Sequence, residues 1–297
     1  MRLNNFVEDL LILLDKGLIE FKSFIEFLAL QHGQKNVVRL VVDEPTYLVL
    51  EKLCKKHGIA FLKSDFNLKL AFTTSLLDTF YEITSADNPD SDRFVIFCGN
   101  KETAIEACSV ERDGCDVEET ARIYGYPKCC AQNYQRVQNG EHWVVPYLTN
   151  ASSTGPYSWL NNKVAYLFQP HLTIIPDYFP CAIDCEKTHN LAQRYASLLR
   201  DAGLHSILNI IRDSLRLPLL FHDGYIYQFS DLKGQSGRYI NRGNVTILPY
   251  GNRDVLGTQY NIQEISFQES GAIALKTDKH HLALELCSGS TELLFFT

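Results

Sequence analysis

The sequence predicts a mixed α+β or α/β protein with three successive regions: an N-terminal α/β unit, a central helical segment that carries cysteines, and a C-terminal antiparallel β domain. Short apolar runs alternate with helical patterns over residues 1–115, and a helical pattern with long loops covers residues 116–215. Short alternating runs separated by glycines follow. A chain of 297 residues accommodates two domains, for which we expect the bounds 1–215 and 216–297.

The N-terminal region combines helical spacing of apolar residues with three strand-like runs. Phe6, Leu10 and Leu13 recur at helical intervals, and short apolar runs follow at three later positions. Strands that alternate with helices favour a small two- or three-layer unit with a partly parallel sheet. The expected helices lie within 1–30, at 44–58 and from 102, and the expected strands lie at 36–42, 59–62 and 94–98.

The central region predicts helices separated by long loops. A helix over 116–124 ends at a Gly-Tyr-Pro sequence, and the next runs from Pro127 to about residue 138. The segment 141–176 is long and rich in aromatic residues, so we expect it to cover a small-molecule pocket. Pro180 is expected to open another helix that continues to about residue 201.

The C-terminal region predicts a small antiparallel barrel or sandwich, since its apolar runs are short and glycines separate them. Within it, basic residues without an intervening acid alternate with Tyr239 and Tyr250, as in folds that bind single strands of nucleic acid. Four charges are few, so nucleic-acid binding is the less favoured interpretation. The basic residues of this strip, residues 233–253, are Lys233, Arg238, Arg242 and Arg253.

Composition and charge argue against several classes of protein. The chain has 28 Lys and Arg against 35 Asp and Glu, and a net charge of −7 disfavours a nucleic-acid coat or a membrane-surface protein. No apolar run reaches about 18 residues, so we expect no membrane partner. Nine cysteines are an odd number and too few for a secreted disulfide scaffold, and acids flank the first apolar run, at 10–14. We therefore expect a cytoplasmic protein whose clustered cysteines are metal ligands or reactive thiols.

Two cysteine pairs follow prolines that favour helix starts. Cys129 and Cys130 come shortly after Pro127, and Cys181 and Cys185 come shortly after Pro180. The free N–H groups and the dipole at a helix start stabilise a thiolate. Four positions separate Cys181 from Cys185, so on a helix they share one face, with Cβ atoms about 5–6 Å apart.

Together these four thiolates match the ligand count of an iron–sulfur cluster or a tetrahedral zinc ion. Our leading hypothesis is that Cys129, Cys130, Cys181 and Cys185 bind an iron–sulfur cluster, with zinc as the alternative metal. Adjacent cysteines are not a usual zinc spacing. Two further interpretations stay open: a metal-free thiol enzyme for redox or sulfur-transfer chemistry, and a zinc-stapled module that binds RNA or a protein.

The two motifs resemble those of a mainly archaeal family catalogued as domain of unknown function 483. That family has a Gly-Tyr-Pro-x-Cys-Cys turn after an α/β unit and a Pro-Cys-Ser-x-x-Cys sequence downstream. The first motif is complete here at residues 125–130, and the second has Ala182 where serine is usual. The resemblance covers about residues 94–200 and implies that the two motifs form one site, without implying a reaction.

Two residues near the motifs are candidates for proton transfer. Asp184 lies between Cys181 and Cys185, and His171 lies in the aromatic loop. If the site is catalytic, a metal with an open coordination position would bind a small-molecule substrate, and Asp184 or His171 would act as acid or base. Whether the protein is an enzyme stays open at this point.

Overall fold

The structure, a computed structural model, has the mixed α+β architecture that the sequence predicts. An N-terminal α/β unit precedes a central helical segment, and antiparallel strands follow. The residues that it describes are 5–73, 79–88, 91, 93–114, 116–138, 143–152, 156–168, 173–175, 178–222, 225–235, 238–249, 262–267, 273–277, 281–284 and 291–295.

The N-terminal unit contains five helices and one four-stranded sheet among its described residues. Its elements are α1 (Asn5–Asp15), α2 (Phe21–Gln31), β1 (Val37–Val42), α3 (Glu44–Lys56), β2 (Ala60–Thr73), β3 (Thr79–Ser85), β4 (Arg93–Gly99), α4 (Lys101–Asp113) and α5 (Val117–Tyr124).

The strand order of this sheet is β1-β4-β2-β3, and all its pairings are antiparallel. The expectation of a partly parallel sheet is therefore wrong. Strands β1 and β2 do run in the same direction, as a strand–helix–strand unit requires, but β4 lies between them and pairs with both. The apolar run at 59–62 predicts only the start of β2. In the structure β2 extends to Thr73 and pairs with β3, for which the sequence gives no expectation.

Both faces of the sheet are covered, so the unit has three layers. In β1, Val38 and Leu40 pack in a core with α1, α2 and α3, while Val37 packs on the other face with α4 and α5. In β4, Ile96 and Phe97 divide between the two faces in the same way. This division follows from the period of two along a strand, and it explains why apolar residues occur at successive positions of both strands, interrupted in β1 only by Arg39.

Two helices of this unit, α3 and α4, have side-chain N-caps. The Asp43 carboxylate accepts a hydrogen bond from the backbone N–H of Thr46 at the start of α3. The Asn100 side chain accepts from the N–H groups of Glu102 and Thr103 at the start of α4. Each cap places a helix directly after a buried strand.

The central segment contains helices α6 (Lys128–Gln138), α7 (Val144–Thr149), α8 (Ala165–Phe168), α9 (Glu186–Asp201) and α10 (His205–Leu215), with a 3₁₀ turn at Trp159–Asn161. The predicted helix start at Pro180 is wrong, since α9 begins at Glu186. Cys185 is the N-cap of α9, with non-helical dihedral angles (φ −59, ψ 109). The residues before it form turns. Among the described residues, no helix is long and apolar enough to span a bilayer.

The C-terminal strands form two antiparallel sheets. The strands are β5 (Leu219–His222), β6 (Tyr225–Phe229), β7 (Leu232–Gln235), β8 (Arg238–Asn241), β9 (Val245–Pro249), β10 (Ile262–Phe267), β11 (Ile273–Thr277), β12 (His281–Leu284) and β13 (Thr291–Leu294). One sheet has the order β13-β5-β6-β9 and the other β12-β11-β10-β8-β7.

The two C-terminal sheets pack against each other as a sandwich. Leu220 and Tyr227 of the first sheet share a buried core with Ile265 of the second. The opposite face of the first sheet, through Leu219 and Phe221, packs against aromatic residues of the central segment. The antiparallel region is therefore joined to the helical segment by a common core.

Candidate metal centre

The first cysteine pair is positioned by a tight connection between α5 and α6. Gly125 ends α5 in the left-handed conformation (φ 73), and the N–H of Tyr126 donates back to the carbonyl of Ala121. Helix α6 starts at Lys128, so Cys129 and Cys130 lie in its first turn, as predicted. The N–H of Cys130 donates to the Pro127 carbonyl.

The second pair is held by side-chain amides, not by a helix. Asn161 Nδ2 donates to the carbonyls of Ile183 (2.9 Å) and Cys185 (3.3 Å), and Asn150 Nδ2 donates to that of Cys181 (3.0 Å). In a helix that started at Pro180, the carbonyls of Cys181 and Ile183 would accept from backbone N–H groups one turn later. Here they accept from side-chain amides instead, and residues 181–184 form a turn. The predicted common helix face for Cys181 and Cys185 is therefore wrong, although the two residues still lie together.

The four cysteines predicted to form one site do lie together. Their sulfur atoms all fall within 4.8 Å of one another, a grouping that could hold a metal ion. The Sγ–Sγ distances are 3.9 Å for Cys129 to Cys130, 3.9 Å for Cys129 to Cys185 and 3.8 Å for Cys130 to Cys185. All four are free cysteines; Cys130 and Cys185 are buried, and Cys129 and Cys181 are half-buried.

Close packing of the thiols shifts their acidities in opposite directions. Hydrogen bonds from Cys130 and then Cys181 lower the pKa of the Cys185 thiol. Hydrogen bonds to Cys181 and Cys185, together with burial, raise the pKa of Cys130. For Cys181, the bond from Cys130 lowers the pKa, but the bond to Cys185 and burial outweigh it and raise the pKa to about 12. One thiolate is thus stabilised by its neighbours, whereas four thiolates packed this closely, two of them buried, require a cation.

Two hydroxyl groups support the buried side of the site. Thr188 Oγ1 lies 3.4 Å from Cys130 Sγ, and the Tyr178 hydroxyl donates to Thr188 Oγ1 at 3.2 Å. Thr188 is completely buried. When Cys130 is a thiolate, the Thr188 hydroxyl can donate to its sulfur, as supporting residues of metal sites commonly do. The sequence contains no signal for this pair.

Aromatic rings and one buried ion pair surround the turn before α6. The Tyr126 ring lies 5.0 Å from the Tyr178 ring, and Lys35 Nζ lies 5.2 Å from the centroid of Tyr126. Lys35 and Glu26 form a buried ion pair. A buried lysine is not recognisable from its neighbours in the sequence, since its contacts with Tyr124 and Tyr126 come from residues about 90 positions away.

Of the two predicted proton-transfer residues, Asp184 has a visible structural contact. Its Oδ2 accepts hydrogen bonds from the backbone N–H and the hydroxyl of Ser152, both at 2.7 Å. These bonds tie the cysteine turn to residues after α7. His171 lies outside the described residues. The acid–base role of both stays a prediction.

The described aromatic residues of the loop 141–176 fill a core. Trp143, Tyr147 and Tyr157 are buried with Phe221 and Ile226 of the β sandwich. Part of this loop lies outside the described residues, so a small-molecule pocket beneath it stays a prediction. A groove near the cysteines is formed by the turn at 125–127 and α9.

Only part of the basic strip at 233–253 falls within the described residues. Lys233 forms an ion pair with Asp231, and Arg242 is exposed. Tyr239 lies against Phe295, with ring centroids 5.0 Å apart. The side chain of Arg238 and all of Arg253 lie outside the described part, so nucleic-acid binding by this strip stays a prediction.

The fold and the site define a mixed α+β protein with a four-cysteine candidate metal centre. No family model, no curated protein and no solved structure matches the chain.

Proposed function

We propose that Cys129, Cys130, Cys181 and Cys185 bind a single metal ion in tetrahedral coordination, and that the ion is Zn²⁺. The observation that carries this proposal is the spacing of the sulfur atoms. For a metal–sulfur bond of about 2.3 Å, the edge of a tetrahedron is 2.3 Å × 1.63, or about 3.8 Å. The three distances of 3.8–3.9 Å agree with this value.

The same spacing favours zinc over the iron–sulfur cluster of our leading sequence hypothesis. Thiolates that ligate different irons of a cluster are separated by the irons and their bridging sulfides, so they lie further apart than thiolates that share one ion. Here all four sulfurs lie within 4.8 Å of one another. The iron–sulfur cluster is the second candidate, and it would require the turn at 181–185 to move away from α6.

Four protein thiolates occupy all positions of a tetrahedral ion, which is the pattern of structural zinc sites. The ion would join α6 to the turn before α9. Helix α6 follows the α/β unit directly, and α9 packs against α2 of that unit. We therefore propose a zinc-stapled binding protein in preference to a metalloenzyme. We also propose that the chain is related to the domain of unknown function 483, on the basis of the same two motifs; the proximity of their cysteines supports a joint role for the motifs.

Elemental analysis and a visible spectrum of anaerobically purified protein test this proposal. We expect one equivalent of zinc and no visible absorption, and loss of the zinc in Cys181→Ser. Cys108→Ser is the matched control, because Cys108 is buried but lies apart from the site, near Asp65. Iron together with sulfide and broad visible absorption would show that the site binds an iron–sulfur cluster and not zinc. Metal-free protein would overturn both and favour the thiol redox or sulfur-transfer alternative.

A further inference from the structure

A groove of about 610 Å³ lies directly beside the cysteine site. One wall is the turn Gly125, Tyr126 and Pro127, which leads into the first cysteine pair. The other wall is the exposed face of α9, which starts directly after Cys185. We propose that this groove binds a small organic anion that carries phosphate or carboxylate groups. This proposal extends the proposed function. It rests on that function because the metal ion would hold both walls of the groove in place.

The charges that line the groove are all positive. Lys187 and Arg194 are the two basic residues of the lining, which contains no Asp, Glu or His. Seven positions separate them, which is close to two helical turns, so both project from the same face of α9 about 10 Å apart along its axis. Two long, flexible basic side chains at this spacing can both bind one anionic group, or each can bind a separate group of the same ligand.

Neither cation is neutralised within the described residues. Lys187 and Arg194 are exposed, and no described acid forms an ion pair with either. Other surface cations do have such partners: Lys128, which is close in the chain, pairs with Glu118. In a chain of net charge −7, an unpaired basic groove opposes the overall field and so favours an anion at this place.

The rest of the lining favours an organic ligand over a bare inorganic ion. Asn190 and Gln193 place two amide groups at the exposed edge, where they can donate hydrogen bonds. Tyr126 and Pro127 make the wall opposite α9 largely apolar, and Leu191 adds an apolar side chain on α9 between the positions of the two charges. The volume lies in the range of small-molecule sites, roughly 300–1,000 Å³, which supports a small molecule as the occupant.

Titration calorimetry of the metal-loaded protein tests the proposal with three probes: inorganic pyrophosphate, adenosine diphosphate and citrate. We expect saturable binding of at least one probe, weakened by added salt. Adenosine diphosphate binding more tightly than pyrophosphate would show that the apolar wall contributes, and citrate alone binding would assign the groove to carboxylates. The double variant Lys187→Glu/Arg194→Glu should weaken binding by about tenfold or more, because two charge-assisted contacts become repulsive.

Arg200→Glu is the matched control, since Arg200 is exposed on the same helix but does not line the groove. It should bind the probe as the unchanged protein does. No saturable binding of any probe, or equal weakening by Arg200→Glu, would overturn the proposal. Zinc is measured in every sample. Protein that binds the probe without zinc contradicts only the proposed metal site, and protein that holds zinc but binds no probe contradicts only the proposed anion groove.

Discussion

The hydroxyl oxygen of Thr188 lies 3.4 Å from the sulfur of Cys130, and both side chains are buried. Since Tyr178 donates to the same hydroxyl, Thr188 is oriented to donate its own hydrogen to a Cys130 thiolate. Removing this hydroxyl in Thr188→Val keeps the shape of the side chain and should lower zinc affinity about tenfold, as loss of a supporting hydrogen bond at a metal site does. Competition with a chromophoric chelator measures the affinity.

Thr188→Ser is the matched control, because it restores the hydroxyl without the methyl group. It should recover most of the lost affinity. In cobalt-substituted protein, Thr188→Val should also shift the thiolate-to-metal absorption band, which a purely structural role would leave in place. Equal affinities for the valine variant and the unchanged protein would contradict a role for the hydroxyl.

The position of the first cysteine pair could be predicted from the sequence because its signal is local, whereas the expectation of one site rests on the repeated Pro-then-Cys pattern and on the number of thiolates. Pro127 favours a helix start, and the start at Lys128 places Cys129 and Cys130 in the first turn. The same argument failed at Pro180. There Asn150 and Asn161, far along the chain, bond the carbonyls of the turn, and no local pattern reveals such partners.

The sheet shows the same limit on a larger scale. Alternation of strands and helices correctly predicts that β1 and β2 run in one direction with α3 between them. It cannot reveal that β4 enters between them, because strand order depends on pairings over tens of residues: Val37 and Ala60 both face Gly99. There a Cβ on Gly99 would lie 2.2 Å from the Asn36 carbonyl oxygen, so the close approach at this strand end requires glycine.

The cap of α3 predicts a specific pH dependence of stability. Hydrogen bonds from Thr46 lower the pKa of Asp43 below its usual 3.8. A lowered pKa in the folded state means that the carboxylate contributes stability above pH 3.8, and that this contribution is lost as the pH falls through the folded-state value. Asp43→Ala should therefore cost about 1 kcal/mol at neutral pH and progressively less in acid.

Urea unfolding of both proteins from about pH 7 to about pH 3 measures this difference in the free energy of unfolding. Asp43→Asn is the control, because asparagine caps helices equally well but does not ionise in this range. It should retain the stability of the cap and lose its pH dependence. A cost for Asp43→Ala that stays constant down to the lowest pH would refute the assignment.

The amide of Asn161 predicts a second effect on stability. It donates to the carbonyls of Ile183 and Cys185 and is only 2 % exposed. Asn161→Leu keeps a similar volume but leaves both acceptors without this donor, so metal-loaded protein should lose about 1–3 kcal/mol of unfolding free energy. Gln193→Ala, an exposed change on α9, should stay within about 0.5 kcal/mol. Equal unfolding midpoints for the two variants in urea would show that the amide does not hold the turn.

We expect removal of the metal to lower the unfolding temperature of the whole protein, because the ligands come from distant parts of the chain. Cys130 and Cys185 are 55 residues apart, and both pack in the core that also contains α1 and α2. An ion that binds only the folded state, present at about a thousand times its Kd, stabilises that state by about 4 kcal/mol. A strong chelator should therefore lower the Tm by several degrees in a calorimetric scan. Cys181→Ser should have the lower Tm already and should not respond to the chelator, because its site is incomplete. A Tm of the unchanged protein that is the same with and without chelator, after metal removal has been verified by elemental analysis, would show that the four cysteines do not staple the fold.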